Sequence, residues 1–205
     1  MQTKQLHYTS GLIITIFITL HLFNHAYSIA GIDAHIRLMK NLRFFYRNIF
    51  IETILLMAVV IQIISGLLLF KTNRKIATTG FEKLHIYTGL YLAFFFVIHV
   101  GAVLTGRFYL HLDTNFYFGV AGINTFPLNL FFIPYYSLAV IAFFGHIASV
   151  HYKKMKSDVM GISRGKQAIA ILLFGIVLTP LLFYVLTNHF KGVTIPAAYD
   201  VLIGK

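Results

Sequence analysis

Five long apolar runs alternate with short polar connections along this chain of 205 residues. The runs cover about residues 10–30, 50–70, 85–105, 128–150 and 168–187. Each holds roughly 20 residues, the length an α-helix needs to cross a ~30 Å hydrocarbon core. The pattern predicts an all-α membrane protein of five transmembrane helices. Short connections make it one up-and-down bundle and a single domain, residues 1–205. Pro127 opens the fourth run, where proline is well tolerated. Pro134 and Pro180 predict bends in the fourth and fifth helices. Gly31, Gly80, Gly106 and Gly161 punctuate helix ends or loops. The first run reads as a retained helix rather than a signal peptide, because His21, Asn24 and His25 interrupt its end.

Composition agrees with this reading. The chain is 58% hydrophobic and 11% charged, with a mean hydropathy of +0.78, whereas soluble domains carry about 25% charged residues. The formal net charge is +11, and the basic residues lie between the apolar runs. They are better explained by topology and by contact with lipid headgroups or an acidic partner than by nucleic acid, for which no motif is present. With the N terminus cytoplasmic, that side holds Lys4, Lys71, Arg74, Lys75, Lys83, Lys153, Lys154, Lys156, Arg164 and Lys166. The other side holds Arg37, Lys40, Arg43, Arg47, Arg107, Lys191 and Lys205. The split of ten to seven favours an N-in, C-out multi-pass protein of the cytoplasmic (inner) membrane. The basic first connection runs against that trend and predicts a short interfacial helix, DAHIRLMKNLRFF, lying on headgroups or against a haem propionate. Cysteine is absent, which excludes disulfides, thiolate metal sites and covalent c-type haem attachment.

The chemistry lies in the histidines. An imidazole in hydrocarbon is costly unless partnered, so an intramembrane histidine is a functional candidate. His21 and His99 lie deep in the first and third runs, which cross in the same direction. Their depths differ by only ~5 Å at helical rise. Two such histidines can hold one b-type haem from both faces, giving a low-spin iron suited to electron transfer. The plainer alternative is a pair of hydrogen-bonded core histidines. His7 precedes His21 by 14 residues and His85 precedes His99 by 14. That spacing is ~21 Å along a helix and keeps both members on one face. His7 and His85 therefore suggest either a second haem or, at headgroup depth, hydrogen bonds to water, a propionate or a quinone oxygen. His146 is a third deep histidine, and Gln62 lies at similar depth on the second run; its amide can bond an imidazole or a quinone carbonyl. His25, one turn beyond His21, is a further quinone-side candidate or a capping residue. His35, His111, His151 and His189 read as loop or interface residues.

These residues carry a resemblance. LHYTSGLIITIFITLHLFNHA, GIDAHIRLMKNLRFFYRNIFIETILL and IQIISG resemble the first two helices of the cytochrome b subunit of succinate dehydrogenase and fumarate reductase, in its single-chain, five-helix, two-haem form. HLFNH matches the histidine followed by an Asn-His pair, and FYRNIFIE the aromatic-Arg…Glu opening of the second helix. IYTGLYLAFFFVIHV and FFGHIAS match the third and fourth helices. The resemblance implies a membrane anchor that docks a flavoprotein and an iron–sulfur subunit on its cytoplasmic face. It would pass electrons between them and menaquinone or ubiquinone without catalysing succinate chemistry itself. It implies metal ligation by His21 and His99 at an outer haem and by His146 at an inner one. The family's second-helix ligand falls at Gln62, so one or two haems b are open, with His85 the nearest inner-side partner for His146. Two other readings stay open: a different transmembrane b-type electron carrier, and a haem-free anchor or small transporter.

Overall fold

The computed structural model describes residues 2–205. Seven α-helices account for most of the chain: α1 (Gln2–Ala26), α2 (Ile32–Tyr46), α3 (Ile49–Asn73), α4 (Gly80–Phe108), α5 (Phe116–Val120), α6 (Asn129–Lys154) and α7 (Arg164–Leu186). Three 3-10 turns follow α1, α5 and the end of α7. There is no strand among the described residues beyond the isolated bridge Val159–Ile162. Five helices, α1, α3, α4, α6 and α7, are long and apolar enough to cross a bilayer. The fold is an all-α membrane bundle.

Local chemistry starts these helices. The Asn48 side chain accepts from the Phe50 amide at the head of α3. Thr79 and Glu82 form a reciprocal capping box on α4, which satisfies two amides that a helix start otherwise leaves open. Ser163 accepts from the Lys166 amide to open α7. The predicted spans were placed correctly but cut short. α1, α3, α4 and α6 each run several residues past the apolar stretch, because caps and tertiary contacts, not hydropathy, decide where they stop. Thus His7 is in the second turn of α1 and His85 is within α4. Gly106, expected to end a helix, sits in the last turns of α4 and makes room for the Phe118 ring. Pro134 and Pro180 lie inside α6 and α7.

The five long helices pack in sequence order, α1 on α3, α3 on α4, α4 on α6 and α6 on α7, and contact between α1 and α7 closes the ring. Large apolar side chains on every long helix face outward, among them Ile16, Val60, Val97, Leu138 and Val177, as lipid-facing positions must. Inside, Ile14, Ala58, Leu92, Phe96, Ala142 and Phe143 form an apolar layer at mid-height. This layer divides the interior into an amino-terminal end, where α1 begins, and a far end.

The far end is capped. α2 forms over the basic connection, where an interfacial helix was expected, and buries Ala34, His35 and Met39. α5 and the turn after it add a second apolar cluster, Phe116, Val120 and Ile123, against α2, α6, α7 and residues Val193 and Ile195. Asn124 pins this cap: its amide donates to Val120 O and Leu186 O, and its Oδ1 accepts from the Val193 amide.

The tightest helix contact is between α6 and α7, where a Cβ at Gly175 would overlap the Phe144 Cβ. That atom belongs to a rigid part of its side chain, so relief requires the helices to separate. Gly175→Ala is expected to destabilise the bundle by about 1–3 kcal/mol, the usual cost of overpacking. Thermal unfolding in detergent, compared with Gly119→Ala, where a Cβ meets open space, checks this; equal midpoints for both variants would refute it.

Candidate functional site

α1 and α4 are separated by α3 in the ring and face one another across the interior. Each presents one histidine to the space between them at the far end. The His21 and His99 ring centroids are 6.1 Å apart, with planes inclined at 71°. In both helices a phenylalanine four residues earlier, one turn away, stacks on the imidazole. Phe17 lies 5.9 Å from His21 and Phe95 lies 4.9 Å from His99. Tyr136 meets His99 edge-on. The repeated F-x-x-x-H is visible in the sequence and is the local signal for these oriented rings.

The space is a largely apolar cavity of about 300 Å³, within the range of cofactor pockets. All five long helices contribute to its wall. His25 also reaches it, and one hydrogen bond of 3.1 Å joins the Nε2 atoms of His25 and His21. The buried Nδ1 of His25 has no partner among the described residues. No described residue hydrogen-bonds to His99. Imidazole nitrogens inside a protein are normally satisfied, so a cavity edged by uncommitted ones has room and donors or acceptors for a group that would supply the missing partner. Two imidazoles facing each other across apolar walls suit a metal whose other positions are filled by a flat apolar ligand. In this sense the residues present fit a haem.

The mouth of the cavity is cationic. Arg43, Arg47 and Arg107 all line it. Arg107 pairs with Glu52, Arg43 pairs with Asp113 at 2.6 Å, and Arg47 has the Thr114 hydroxyl at 2.7 Å. Three guanidinium groups thus share two carboxylates. Burial, with Arg43 and Arg107 close by, pushes the Arg47 pKa down, and the buried Arg43 Nε lacks a partner among the described residues. The mouth therefore holds an unbalanced positive charge suited to carboxylates. The sequence hint was the aromatic-Arg…Glu pattern of FYRNIFIE. The contributions of Arg43, Asp113 and Thr114 come from distant segments and left no such signal.

Beneath the apolar layer lies a second polar cluster, at the amino-terminal end. The Gln62 amide donates to His7 Nε2 at 3.2 Å, and His7 Nδ1 donates to the Ser65 hydroxyl at 2.9 Å. Ser10 donates to Gln62 Oε1 at 2.6 Å. His146 Nδ1 donates to the His85 carbonyl at 3.2 Å. Gln62 thus bonds an imidazole, as its amide can, and the imidazole is that of His7. Of the singled-out residues, His21, His25 and His99 gather at the far end, and His7, Gln62, His85 and His146 at the amino-terminal end.

His35 corrects an expectation. It was read as a loop or interface residue, yet it is only 1% exposed. Asn24 Nδ2 donates to its Nε2 at 3.1 Å, its Nδ1 donates to Ser28 Oγ at 2.7 Å, and Phe116 covers its face. The neighbours that bury it, α5 above all, lie far along the chain and give no local signal. His111 and His189 remain in irregular segments, while His151 bonds Gln167 across the α6–α7 connection.

Burial, together with the nearby His21 and Arg43, pushes the His35 pKa from 6.5 down to about 4. Its neutral form stabilises the fold fully above pH 6.5, and that contribution is lost as pH falls toward about 4, where the folded protein too must take up the proton. The unfolding midpoint of the wild-type protein should therefore fall more steeply across this window than that of His35→Gln. Thermal melts from neutral to acidic pH test the difference, and parallel profiles for the two proteins would count against it.

No protein-family model matches this chain, and no curated protein or solved structure matches it.

Proposed function

We propose that this protein is a membrane cytochrome b that holds haem b between His21 and His99 and carries electrons to or from a membrane quinone. The observation that carries this reading is the pair of half-buried imidazoles, 6.1 Å apart, facing each other across an apolar cavity in which His99 has no hydrogen-bond partner among the described residues. Metal–imidazole bonds are about 2.0 Å long, so His21 and His99 at this separation would have room to hold one metal ion between them. Haem iron held by two imidazoles supplies a one-electron couple with no open position for oxygen.

The chain's own residues would do the rest. Phe17 and Phe95 would fix the ring orientations, and His25 is the hydrogen-bond partner that His21 Nε2 would give up on binding a metal. The apolar wall excludes water and lowers the local dielectric, which tunes the redox potential. Arg43, Arg47 and Arg107 balance the two propionates at the mouth. The positively charged connections 71–83 and 153–166 lie at the amino-terminal end. They would form the docking surface for a flavoprotein and iron–sulfur pair, as in the succinate dehydrogenase and fumarate reductase anchor that the motifs resemble. That assembly, with quinone near His25 or near His7, His85 and Gln62, is the specific form of the proposal. It places the N terminus on the cytoplasmic side.

The test is spectroscopic. Protein purified from the membranes of a haem-producing host should show a Soret band and a pyridine haemochrome of b type. His21→Leu and His99→Leu should each abolish this far-end haem, while His151→Gln should leave it unchanged. A wild-type protein of native fold without haem would refute the cytochrome reading and leave a haem-free anchor or transporter. Co-purification with a flavoprotein and an iron–sulfur subunit separates the anchor from a stand-alone electron carrier.

A further inference from the structure

The four basic residues of the first connection divide into two pairs. Arg43 and Arg47 turn inward to the cavity mouth, where Asp113 and Thr114 meet them. Arg37 and Lys40 are exposed on the other side of α2, and neither has an ion-pair or hydrogen-bond partner among the described residues. Three residues apart on a helix, they are neighbours, and like charges so placed repel. Asp33, one turn before Arg37, does not pair with it. The fold leaves this repulsion unrelieved, and an anion held between the two cations would relieve it.

The same face continues into apolar side chains. Phe44, one turn after Lys40, is 81% exposed, and its ring meets that of Phe45 edge to face at 5.6 Å. At the head of α3, Ile49 and Phe50 are exposed as well. They begin a stripe on the outer side of that helix. Thr53, Leu56, Met57, Val60 and Ile61 follow at three- and four-residue steps, which keeps them on one face, and line a groove of about 350 Å³. The lining comes from α3 alone, so the groove opens away from the bundle. It is ~12 Å long at helical rise. Its one hydroxyl, on Thr53, already donates to the Ile49 carbonyl.

Both ends of α2 are tied to the far end, one through the turn after α1 and the other at the start of α3. The helix therefore lies across that end, and its cations stand at the level where α3 enters the spanning region. Cations at headgroup depth, followed by an apolar groove that runs into the hydrocarbon, match the layout of a phospholipid. An acidic protein segment would satisfy the cations but leave the groove unfilled.

We propose that this outer corner of α2 and α3 is a binding site for one anionic phospholipid, its phosphate between Arg37 and Lys40 and an acyl chain along the stripe from Ile49 to Ile61. The guanidinium of Arg37 offers the forked geometry that suits a phosphate. The lipid braces the joint between α3 and the helix that caps the cavity. The site uses none of the residues proposed to hold haem and stands or falls independently of the cytochrome reading.

Native mass spectrometry of the full-length protein in detergent, titrated with dioleoyl phosphatidylglycerol or dioleoyl phosphatidylcholine, tests the site. One phosphatidylglycerol should bind the wild-type protein at about 30-fold lower concentration than phosphatidylcholine, the preference expected of two basic residues beside an anionic headgroup. The double variant Arg37→Gln/Lys40→Gln should lose this preference. Lys40→Arg should keep it, as should Lys71→Gln/Lys75→Gln, which removes exposed cations at the amino-terminal end. Phosphatidylglycerol should raise the thermal unfolding midpoint of the wild-type protein, since it binds the folded state, and leave that of Arg37→Gln/Lys40→Gln unchanged. Dihexanoyl phosphatidylglycerol, too short to fill the groove, should bind more weakly than the dioleoyl form. Equal binding of the two dioleoyl lipids by the wild-type protein, or an undiminished preference in Arg37→Gln/Lys40→Gln, would overturn the proposal. Displacement of the lipid by millimolar inorganic phosphate would also overturn it, by showing a site for free anions.

Discussion

A polar side chain inside a bilayer finds its partner within the protein or is not tolerated, and this constraint organises the bundle. Histidines at positions 7, 21, 25, 85, 99 and 146 sit on helices whose outer faces are apolar. Those deepest in the spans, His21, His99 and His146, have no water to fall back on. The helices therefore turn these faces inward, and the ring α1–α3–α4–α6–α7 is the packing that lets them all do so. Interior polar groups are collected at two levels, with the apolar layer of Ile14, Ala58, Leu92, Phe96, Ala142 and Phe143 between them. The two levels are satisfied differently. Toward the amino-terminal end, a hydroxyl, an amide and a carbonyl take up both nitrogens of His7 and one of His146. Toward the far end the imidazoles are left facing a cavity.

The far-end cap follows from the same logic. A cavity that opened freely to solvent would wet the imidazoles and remove the reason for burying them. α2, α5 and the C-terminal turn close over it, joined by Asn124 and by the Tyr199 hydroxyl, which donates to the Asp113 carbonyl at 2.9 Å. What remains open is rimmed by guanidinium groups. Arginine is suited to such a place because it stays charged when partly desolvated and pairs in a fixed, forked geometry. The cap thus gives the cavity an apolar body and a cationic edge, which would suit an amphipathic occupant with acidic substituents.

Much of the fold was legible in the sequence for one physical reason: lipid imposes a one-dimensional signal. Run length located all five spans, and the amphipathic DAHIRLMKNLRFF announced α2. The facing of His21 and His99 was legible too, because depth along a helix can be counted from its start. What failed to show depends on contacts between distant segments. The burial of His35 is created by Phe116 and Ser28, and the arginine mouth is assembled from α2, α3, α4 and the connection after it. Likewise, hydropathy starts a helix at the first apolar residue, whereas α4 and α7 start where Thr79 and Ser163 offer a cap. Counting residues placed His7 and His85 at symmetrical depths and so suggested them as a pair. It had no means of showing that α6 brings His146 between them.

That last difference is a matter of helix order. In a ring of five, α1 and α4 are opposite one another only where the interior is wide enough to keep them apart. At the far end a cavity does so, and their histidines face across it. At the amino-terminal end α3 and α6 contribute Gln62, Ser65 and His146, and these fill the middle. α1 then meets α6 there rather than α4. The same α1 face, carrying His7 and His21 14 residues apart, is therefore read by two different partner helices at its two ends. A helix of constant sequence period can serve two unlike sites in this way without any change in its own geometry, because the neighbours, not the helix, decide what each level of the bundle can hold.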